Sequence, residues 1–397
     1  MHHARRRPEH PVWRGVGLVL VAALAAGGSA VAAVVHGWDS KIRRSDGMAL
    51  AVQTKKPGEP VDAATGALNI LLLGSDSRDG ENEAIGGADG GMRSDTMIVM
   101  HVSADRKRVE LVSIPRDSLV DVPSCLMADG STTRPRPATM INSAFSIGWL
   151  NGGTTDKDRL DSAIGCAVST VYENTGLTIR HSVVVDFVGF QAMVDTLGGV
   201  EVCIEQDMRD PGYTGLDLKA GYQHLDGTQA LQLARTRHAY ASGMDTSRIG
   251  GQQQLLAAMA DKVMSKDLTD APQLLSFVSQ VAGSLVVDRT LDPGSLVWAL
   301  RSIRSDDVVF TTIPWQLSPQ NPNRVVWTSQ ADDVWAAMAA DTPVRDALSP
   351  AGQTGPAPGQ TTSPAPDETA PPGPASALPK QATSVADQVR RATVCPA

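Results

Sequence analysis

Positive charge and aromatic rings are both scarce in this 397-residue chain. Lysine and arginine number 35 against 43 aspartates and glutamates, which gives a formal net charge of −8, and aromatic residues make up 4%. Nucleic-acid binding requires a basic face for the phosphate backbone, so we expect no nucleic-acid partner. The 42% of hydrophobic residues is nevertheless enough for a sizeable core.

Cysteine is also rare, with four residues and no CxxC pair, which disfavours a cysteine-bound metal. Cys125 and Cys166 both fall in a stretch that resembles a long insertion, and we expect a disulfide between them to staple it. Cys203 lies in the apolar run GVEVCI and is predicted to be a buried thiol. Cys395 falls in the C-terminal tail.

Several enzyme signatures are missing. The glycine-rich GGADGG is not followed by the Gly-Lys-Ser/Thr of a nucleotide-binding loop. There is no GxSxG nucleophile elbow, and we expect His238, which has no obvious serine partner, to pack or hydrogen-bond locally. Histidines spaced for zinc are absent. These observations disfavour nucleotide-loop enzymes, serine hydrolases and zinc enzymes.

The N-terminal region contains the one long apolar run. Residues 15–35 carry no charge over 21 positions, enough to span a bilayer as a helix, and four arginines precede them. We expect residues 1–14 to be cytoplasmic, 15–35 to be a transmembrane helix, and the rest to lie on the extracytoplasmic side. The alternative is a cleaved signal peptide, for which Ala30 and Ala32 provide small residues.

Beyond this run the composition divides the chain into three parts. Residues 36–65 form a polar connector. Strand-like and helix-like patterns then alternate through residues 66–345, which predicts one α/β domain of αβα type, with a central mixed β-sheet flanked by helices. Residues 349–397 are rich in proline, threonine and alanine, and we expect a disordered tail there.

Arginine and aspartate recur where predicted strands begin or end. Asp76 follows the strand ILLLG, Arg93 and Asp95 precede the next strand, and Arg116 follows another strand in SIPRD. Each Arg–Asp pair alone is more typical of a structural ion pair. Together, however, two aspartates and several arginines provide what a metal–pyrophosphate site requires, because magnesium binds carboxylates plus phosphate oxygens and arginine binds phosphate bidentately.

A second basic cluster occurs in LARTRHAYASGMDTSR, residues 233–248. If the chain leaves a helix in extended form, Arg235 and Arg237 point the same way. Arg248 and Gln252 are four residues apart at the start of a predicted helix, so they share one face near its positive end. A phosphate would fit there, but pairing of Arg248 with Asp245 alone remains an alternative.

With these motifs the chain resembles the LytR-CpsA-Psr phosphotransferases of bacterial cell envelopes. The resemblance covers residues 66–345 and rests on motifs that occur in the family's order: NILLLGSDSR, RSDTMIV, SIPRDS, INSAF, VDFVGFQAMVDTLGGVEV, LDGTQALQLARTRH and DTSRIGGQQ. It implies a membrane-anchored enzyme that transfers a glycopolymer from a polyprenyl-pyrophosphate carrier to a peptidoglycan hydroxyl and releases polyprenyl phosphate. An apolar channel between sheet and helices would hold the prenyl tail.

The same resemblance assigns roles to residues. Asp76 and Asp95 would hold Mg²⁺, or alternatively Mn²⁺. Asp245 would orient Arg248 or accept the proton of the attacking hydroxyl. The pyrophosphate would be bound by five arginines and one glutamine: Arg93, Arg116, Arg235, Arg237, Arg248 and Gln252. Of these, Arg93 and Arg116 would also be catalytic.

Two positions depart from the family's pattern. Met140 stands where a lysine is frequent, and Gly251 stands where an arginine is frequent, so two positive charges are missing near the expected site. Two alternative functions therefore remain: a polyprenyl-pyrophosphate hydrolase that uses the same site, and a non-catalytic protein that binds the lipid carrier or a wall polymer.

Overall fold

The computed structural model describes residues 42–53, 66–76, 92–236, 239, 245–265, 285–348, 383–384 and 395. The expected cytoplasmic segment 1–14 and transmembrane segment 15–35 lie outside these ranges, as does most of the connector 36–65. Among the residues described, no helix combines the length and apolarity needed to cross a bilayer.

A mixed β-sheet forms the centre of the molecule. Its strands lie in the order β1-β12-β7-β2-β3-β4-β13-β16. The pairs β1–β12, β2–β7 and β4–β13 are parallel, and the other neighbours are antiparallel. The strand bounds are β1 Arg43–Ser45, β2 Leu68–Ser75, β3 Ser94–Val102, β4 Val109–Ile114, β7 His181–Val185, β12 Leu285–Asp288, β13 Val308–Thr312 and β16 Thr383–Ser384.

Four antiparallel pairs of strands lie outside this sheet. They are β5–β6, β8–β11, β9–β10 and β14–β15. Their bounds are β5 Leu119–Val122, β6 Arg136–Met140, β8 Val200–Ile204, β9 Met208–Asp210, β10 Leu216–Leu218, β11 Gly221–Leu225, β14 Trp315–Ser318 and β15 Asn321–Trp327.

The helices follow the periodic segments of the sequence. The described residues form α1 Gly47–Leu50, α2 Asn142–Asn151, α3 Asp156–Thr175, α4 Phe187–Thr196, α5 Gly227–Arg235, α6 Asp245–Ser265, α7 Pro293–Leu300, α8 Ser329–Ala339 and α9 Val344–Ala347, with a short 3-10 turn at Ser305–Asp307. The α3 helix ends at Gly176, whose φ of 67° is left-handed. Glycine adopts that conformation without the steric cost of a Cβ, which makes Gly176 a favourable end for the helix.

Helices pack on both faces of the sheet, which confirms the predicted α/β architecture. On one face Leu71 and Val99 belong to a buried core that Ile164 of α3 and Trp335 of α8 complete. On the other face Ile98, Leu111 and Phe310 pack with Ala257 of α6. Alternate residues of a strand point to opposite faces, so the consecutive Ile98 and Val99 enter different cores.

A second layer supports the start of α6. Helices α4 and α5 and strands β8–β11 enclose their own buried cluster, which includes Val194, Val200 and Leu233 and is joined by Leu255 of α6. The α5 helix begins in a capping box. The Asp226 side chain accepts a hydrogen bond from the Gln229 backbone amide, and the Gln229 side-chain oxygen accepts one from the Asp226 backbone amide. Such boxes fix where a helix starts, and this one places Arg235 in the last turn of α5.

The cysteines form two disulfides. Cys125–Cys166, with 41 residues of separation, confirms the predicted staple. The prediction that Cys203 is a buried thiol is wrong, because Cys203 is bonded to Cys395. Three positions within the tail 349–397 are described: Cys395, and the β16 residues Thr383 and Ser384, which pair with the edge strand β13. An edge strand offers unpaired backbone groups to any chain nearby, and tail composition cannot reveal such a pairing.

Candidate active site

The aspartates and arginines predicted at strand ends meet at one edge of the sheet. Strands β2, β3 and β4 are successive antiparallel neighbours, so the end of β2, the start of β3 and the end of β4 coincide. The Asp76 amide donates to the Arg93 carbonyl over 3.0 Å, and the Arg93 amide donates to Asp76 Oδ1. This reciprocal contact locks the Asp76 carboxyl group beside the start of β3.

Arg116 is joined to Asp95 across the β3–β4 pair. Its Nη1 donates to Asp95 Oδ1 over 2.7 Å, and its Nε lies 3.9 Å from Asp117 Oδ1. The Arg116 side chain is largely buried, so the charge–charge attraction is screened less than at a solvent-exposed pair. The SIPRD corner therefore holds a guanidinium in a fixed position at the edge of the sheet.

Arg248 reaches the same aspartate from the first turn of α6. Its Nη2 donates to the Asp95 carbonyl over 2.8 Å, and its Nη1 lies 3.9 Å from Asp95 Oδ2. The residue is only 2% exposed. Arg248 therefore contacts Asp95, so that pairing with Asp245 alone, the alternative reading of the sequence, does not describe it. Asp245 begins α6, but its side chain lies outside the described residues, and its role stays a prediction.

Arg235 and Gln252 lie together at the junction of α5 and α6. The Arg235 guanidinium carbon stands 4.3 Å from the centre of the Phe187 ring at the start of α4, a cation–π contact that positions the charge. Gln252 Nε2 donates to the Ala234 carbonyl over 3.0 Å. Arg237 and His238 lie outside the described residues.

Sequence reasoning missed two side chains that position this group. Phe187 orients Arg235, and the only signal for it was an aromatic residue after the helix-capping Asp186. Gln253 is buried, and its Nε2 donates to Thr312 Oγ1 over 3.0 Å and to Ser113 Oγ over 3.3 Å. It ties α6 to the ends of β4 and β13, but nothing in the run Gln252–Gln254 distinguishes one glutamine from the next.

The family of the chain is decided by a comparison with protein-family models. The LytR_cpsA_psr family model matches residues 37–340, more than half of the chain. The chain belongs to the LytR-CpsA-Psr family.

Relatives within the LytR-CpsA-Psr family are similar over most of the chain. "Probable cell wall biosynthesis protein LcpB" of Corynebacterium glutamicum is 32% identical over 78% of this chain and 70% of its own length. "Cell wall biosynthesis protein LcpA" of the same organism is 30% identical over 64% of this chain. The match spans only about half, 51%, of LcpA.

One further relative is named for a transfer reaction. "Polyisoprenyl-teichoic acid--peptidoglycan teichoic acid transferase TagU" of Oceanobacillus iheyensis is 31% identical over 70% of this chain and 77% of its own length. Among solved structures, a LytR-Csp2A-Psr enzyme from Actinomyces oris superposes with a TM-score of 0.53 at 19% identity, covering 75% of this chain and 96% of that one. At that identity the superposition supports the fold alone.

The family motif INSAF lies against the SIPRD corner. The Ile141 amide donates to the Ser118 carbonyl over 2.9 Å, and the Asn142 amide donates to the Arg116 carbonyl over 3.4 Å. Met140 pairs with Leu119 across β5 and β6. Met140, where the resemblance led us to expect a lysine, therefore lies in the strand pair beside the SIPRD corner, and it is uncharged.

The carboxylates at this edge of the sheet are also candidate ligands for a divalent metal ion. In the part of the chain that the structure describes, no group of three or more His, Cys, Asp or Glu side chains is arranged to hold a metal ion. Asp76 and Asp95 nevertheless stand on neighbouring strand ends, with Asp76 next to Arg93 and Asp95 two residues further on. Two carboxylates suit Mg²⁺ when phosphate oxygens and water complete its shell. The chemistry of these two carboxylates matches that of Mg²⁺ ligands.

Proposed function

We propose that this protein is a phosphotransferase that moves a glycopolymer from a polyprenyl-pyrophosphate carrier onto a peptidoglycan hydroxyl. The observation that carries the proposal is the sharing of Asp95 by Arg116 and Arg248 at the sheet edge. Asp95 thereby brings two guanidiniums close together at one edge of the sheet, where both are positioned to meet a phosphate. The similarity to the TagU transferase supports the reaction class.

The reaction exchanges one phosphoester partner for another. The oxygen of the acceptor hydroxyl forms a bond to the phosphorus that carries the glycan, and the bond from that phosphorus to the bridging oxygen breaks. Polyprenyl phosphate leaves with the electron pair, and the hydroxyl proton passes to a base or to solvent. Negative charge grows on the bridging and non-bridging oxygens, so fixed positive charge lowers the barrier.

The arginines supply that charge without reorganisation. A guanidinium stays protonated in proteins and presents a planar set of donors that matches phosphate oxygens. Asp95 and the Phe187 ring hold Arg116, Arg248 and Arg235 before any substrate arrives. Arg93 and Arg237 would complete the set, and Asp245 would orient Arg248 or accept the hydroxyl proton.

Asp76 and Asp95 would hold Mg²⁺ or Mn²⁺. When bound, the metal neutralises part of the pyrophosphate charge and polarises its oxygens. Asp95 then has two tasks, because the same carboxylate group also orients Arg116. The hydrogen bond between Asp76 and the Arg93 amide fixes the second carboxylate at the strand end.

The apolar face beneath α6 offers a place for the lipid. Several hydrophobic side chains there are only partly buried, namely Leu68, Leu72, Met100, Leu256, Ala260 and Met264. A partly buried apolar surface that runs along the sheet away from its charged edge suits a ligand with an anionic head and a hydrocarbon tail. Residues 15–35 would anchor the protein in the membrane that contains this carrier, with the catalytic domain outside the cytoplasm, where disulfides persist.

A reconstituted reaction tests the proposal. Full-length protein in detergent would be mixed with a polyprenyl-pyrophosphate glycan, peptidoglycan chains and Mg²⁺, and the products separated by size and charge. A covalent glycan–peptidoglycan conjugate supports the transferase. Free phospho-glycan without conjugate would indicate a hydrolase, and unchanged donor under all metals would indicate a non-catalytic binding protein.

A further inference from the structure

The charged groups of the candidate site continue beyond Arg116. Asp117 follows it in the chain, and Asp117 Oδ1 lies 3.9 Å from Arg116 Nε and 3.8 Å from Arg324 Nη1. Arg324 belongs to β15, in the β14–β15 hairpin. The alternating series therefore comprises five side chains, three cations and two anions: Arg248, Asp95, Arg116, Asp117 and Arg324.

The hairpin is fixed rigidly against this corner. The Val325 amide donates to the Asp117 carbonyl over 3.2 Å, and Ser118 forms an isolated parallel bridge with Val325. Trp327 Nε1 donates to Ser118 Oγ over 3.1 Å. These contacts, made by two residues that follow Arg324 in β15, hold its backbone against the corner that carries Arg116.

The guanidinium of Arg324 has donors to spare. Its Nη1 donates to the Asn323 carbonyl over 2.8 Å, whereas the 3.8 Å separation from Asp117 is too long for a hydrogen bond. A guanidinium has five N–H donors, and these are the contacts it makes with the residues that the structure describes. The side chain is 30% exposed, so a ligand can reach it.

Stability of the fold does not explain this arrangement. A partly exposed ion pair at 3.8 Å contributes at most about 1 kcal/mol and often nothing measurable. Its position beside the predicted phosphate site is better suited to ligand recognition, because arginine binds phosphate and carboxylate groups with two parallel hydrogen bonds.

We propose that Arg324 binds a second anionic group of the substrates, a phosphate or a carboxylate separate from the pyrophosphate, and so selects charged wall substrates over neutral ones. This proposal rests on the proposed transferase function. The anionic group that Arg324 binds has two possible sources: an anionic glycopolymer on the donor, or a carboxylate on the peptidoglycan acceptor. Arg324 takes no part in the bond exchange, and it determines specificity.

The test compares Arg324→Gln with a matched control in full-length protein. Arg209→Gln removes an exposed arginine that pairs with Asp217 in the separate β9–β10 pair. The dissociation constant is measured for donors with and without a phosphate in the glycan, and for peptidoglycan fragments with free or amidated carboxylates. Transfer kinetics with the same substrates give KM and kcat.

We expect Arg324→Gln to weaken binding of one charged substrate by about tenfold or more, as expected for loss of a charge-assisted hydrogen bond. Its neutral counterpart should bind as it does to the wild type, kcat should stay within about twofold, and Arg324→Lys should recover part of the loss. Selective loss with the phosphate-bearing donor assigns the group to the glycopolymer. Selective loss with the free-carboxylate fragment assigns it to the acceptor.

Equal losses for charged and neutral substrates, or no loss in either comparison, would overturn the role of Arg324. Because binding is measured without turnover, a wild-type protein that binds but transfers nothing would disprove the transferase function alone. The difference in binding between charged and neutral substrates would still decide the role of Arg324.

Discussion

Arg116 Nη1 and Asp95 Oδ1 lie 2.7 Å apart, and this contact joins the end of β4 to the start of β3. Asp95 also receives Arg248 through its backbone carbonyl. One residue at the beginning of a strand thus orients guanidiniums from two different elements.

Replacing Arg248 should affect both stability and activity. Arg248→Met retains an unbranched side chain but leaves the Asp95 carbonyl without a charged donor, so we expect unfolding to become easier by about 1–3 kcal/mol. Transfer should fall by at least about a hundredfold. Urea unfolding and the conjugate assay measure the two effects. Normal transfer by Arg248→Met would show that Arg248 is not part of the site.

Metal dependence provides a second check. Asp76→Asn keeps an Oδ1 acceptor for the Arg93 amide and removes one charge, so the fold should be retained. We expect the Mg²⁺ concentration for half-maximal transfer to rise by at least about tenfold, since even changes to the residues around metal ligands cost that much. Transfer by the wild type should cease in a chelator and return with Mg²⁺. Full activity in the chelator would contradict the metal assignment.

The buried Asp288 at the end of β12 should make stability depend on pH. Burial alone would raise its pKa, but hydrogen bonds involving His181, Thr290 and the Ser182 amide lower that pKa below the ordinary aspartate value. A lowered folded-state pKa contributes stability above the unfolded pKa, about 3.9. This stability is lost as the pH falls through the folded-state pKa.

The variant Asp288→Asn isolates this contribution. We expect it to unfold about 2–4 kcal/mol more easily than the wild type at pH 7, because several donors lose a charged acceptor. The difference should shrink steadily below about pH 4 as the wild-type carboxylate takes up its proton. A difference independent of pH between 2 and 7, measured by urea unfolding, would rule out the ionised Asp288.

The two disulfides should differ in their effect on stability. In the chain-entropy picture the stabilisation grows with the length of the closed loop. The separation is 192 residues for Cys203–Cys395 and 41 for Cys125–Cys166, which corresponds to about 5 and about 4 kcal/mol. Paired Cys→Ser variants, compared by denaturant unfolding, check the order. Labelling of any cysteine under denaturing, non-reducing conditions would show that a bridge is missing.

Local pattern was sufficient for the elements and for placing three of the candidate residues at strand ends. The apolar runs of β2, β3 and β4 predict buried strands, and Asp76, Asp95 and Arg116 take their places from those strand ends. Gly198 and Gly199, which follow α4, have φ values of 73° and 80°, and glycine is the residue that adopts such values most readily. Positions relative to a strand or a helix end are encoded within a few residues.

Contacts between distant segments could not be predicted in the same way. Arg324 meets Asp117 because β15 bridges to Ser118, and Cys395 reaches Cys203 from a tail whose composition predicts disorder. Neither pairing leaves a periodic signal, since each depends on how separate elements pack. The contact of Phe187 with Arg235, and those of Gln253 with β4 and β13, are likewise contacts between distant segments.

Arg116 is the residue on which the transferase account depends most, and one assay tests it. Full-length wild type, Arg116→Ala and the control Arg209→Gln would first be compared in melting temperature, to show that each variant is folded. Each protein would then be mixed with polyprenyl-pyrophosphate glycan, peptidoglycan chains and Mg²⁺. The account predicts a covalent conjugate with the wild type and the control, and at least about a hundredfold less with Arg116→Ala. Near-normal conjugate from Arg116→Ala, or none from the wild type, would contradict it.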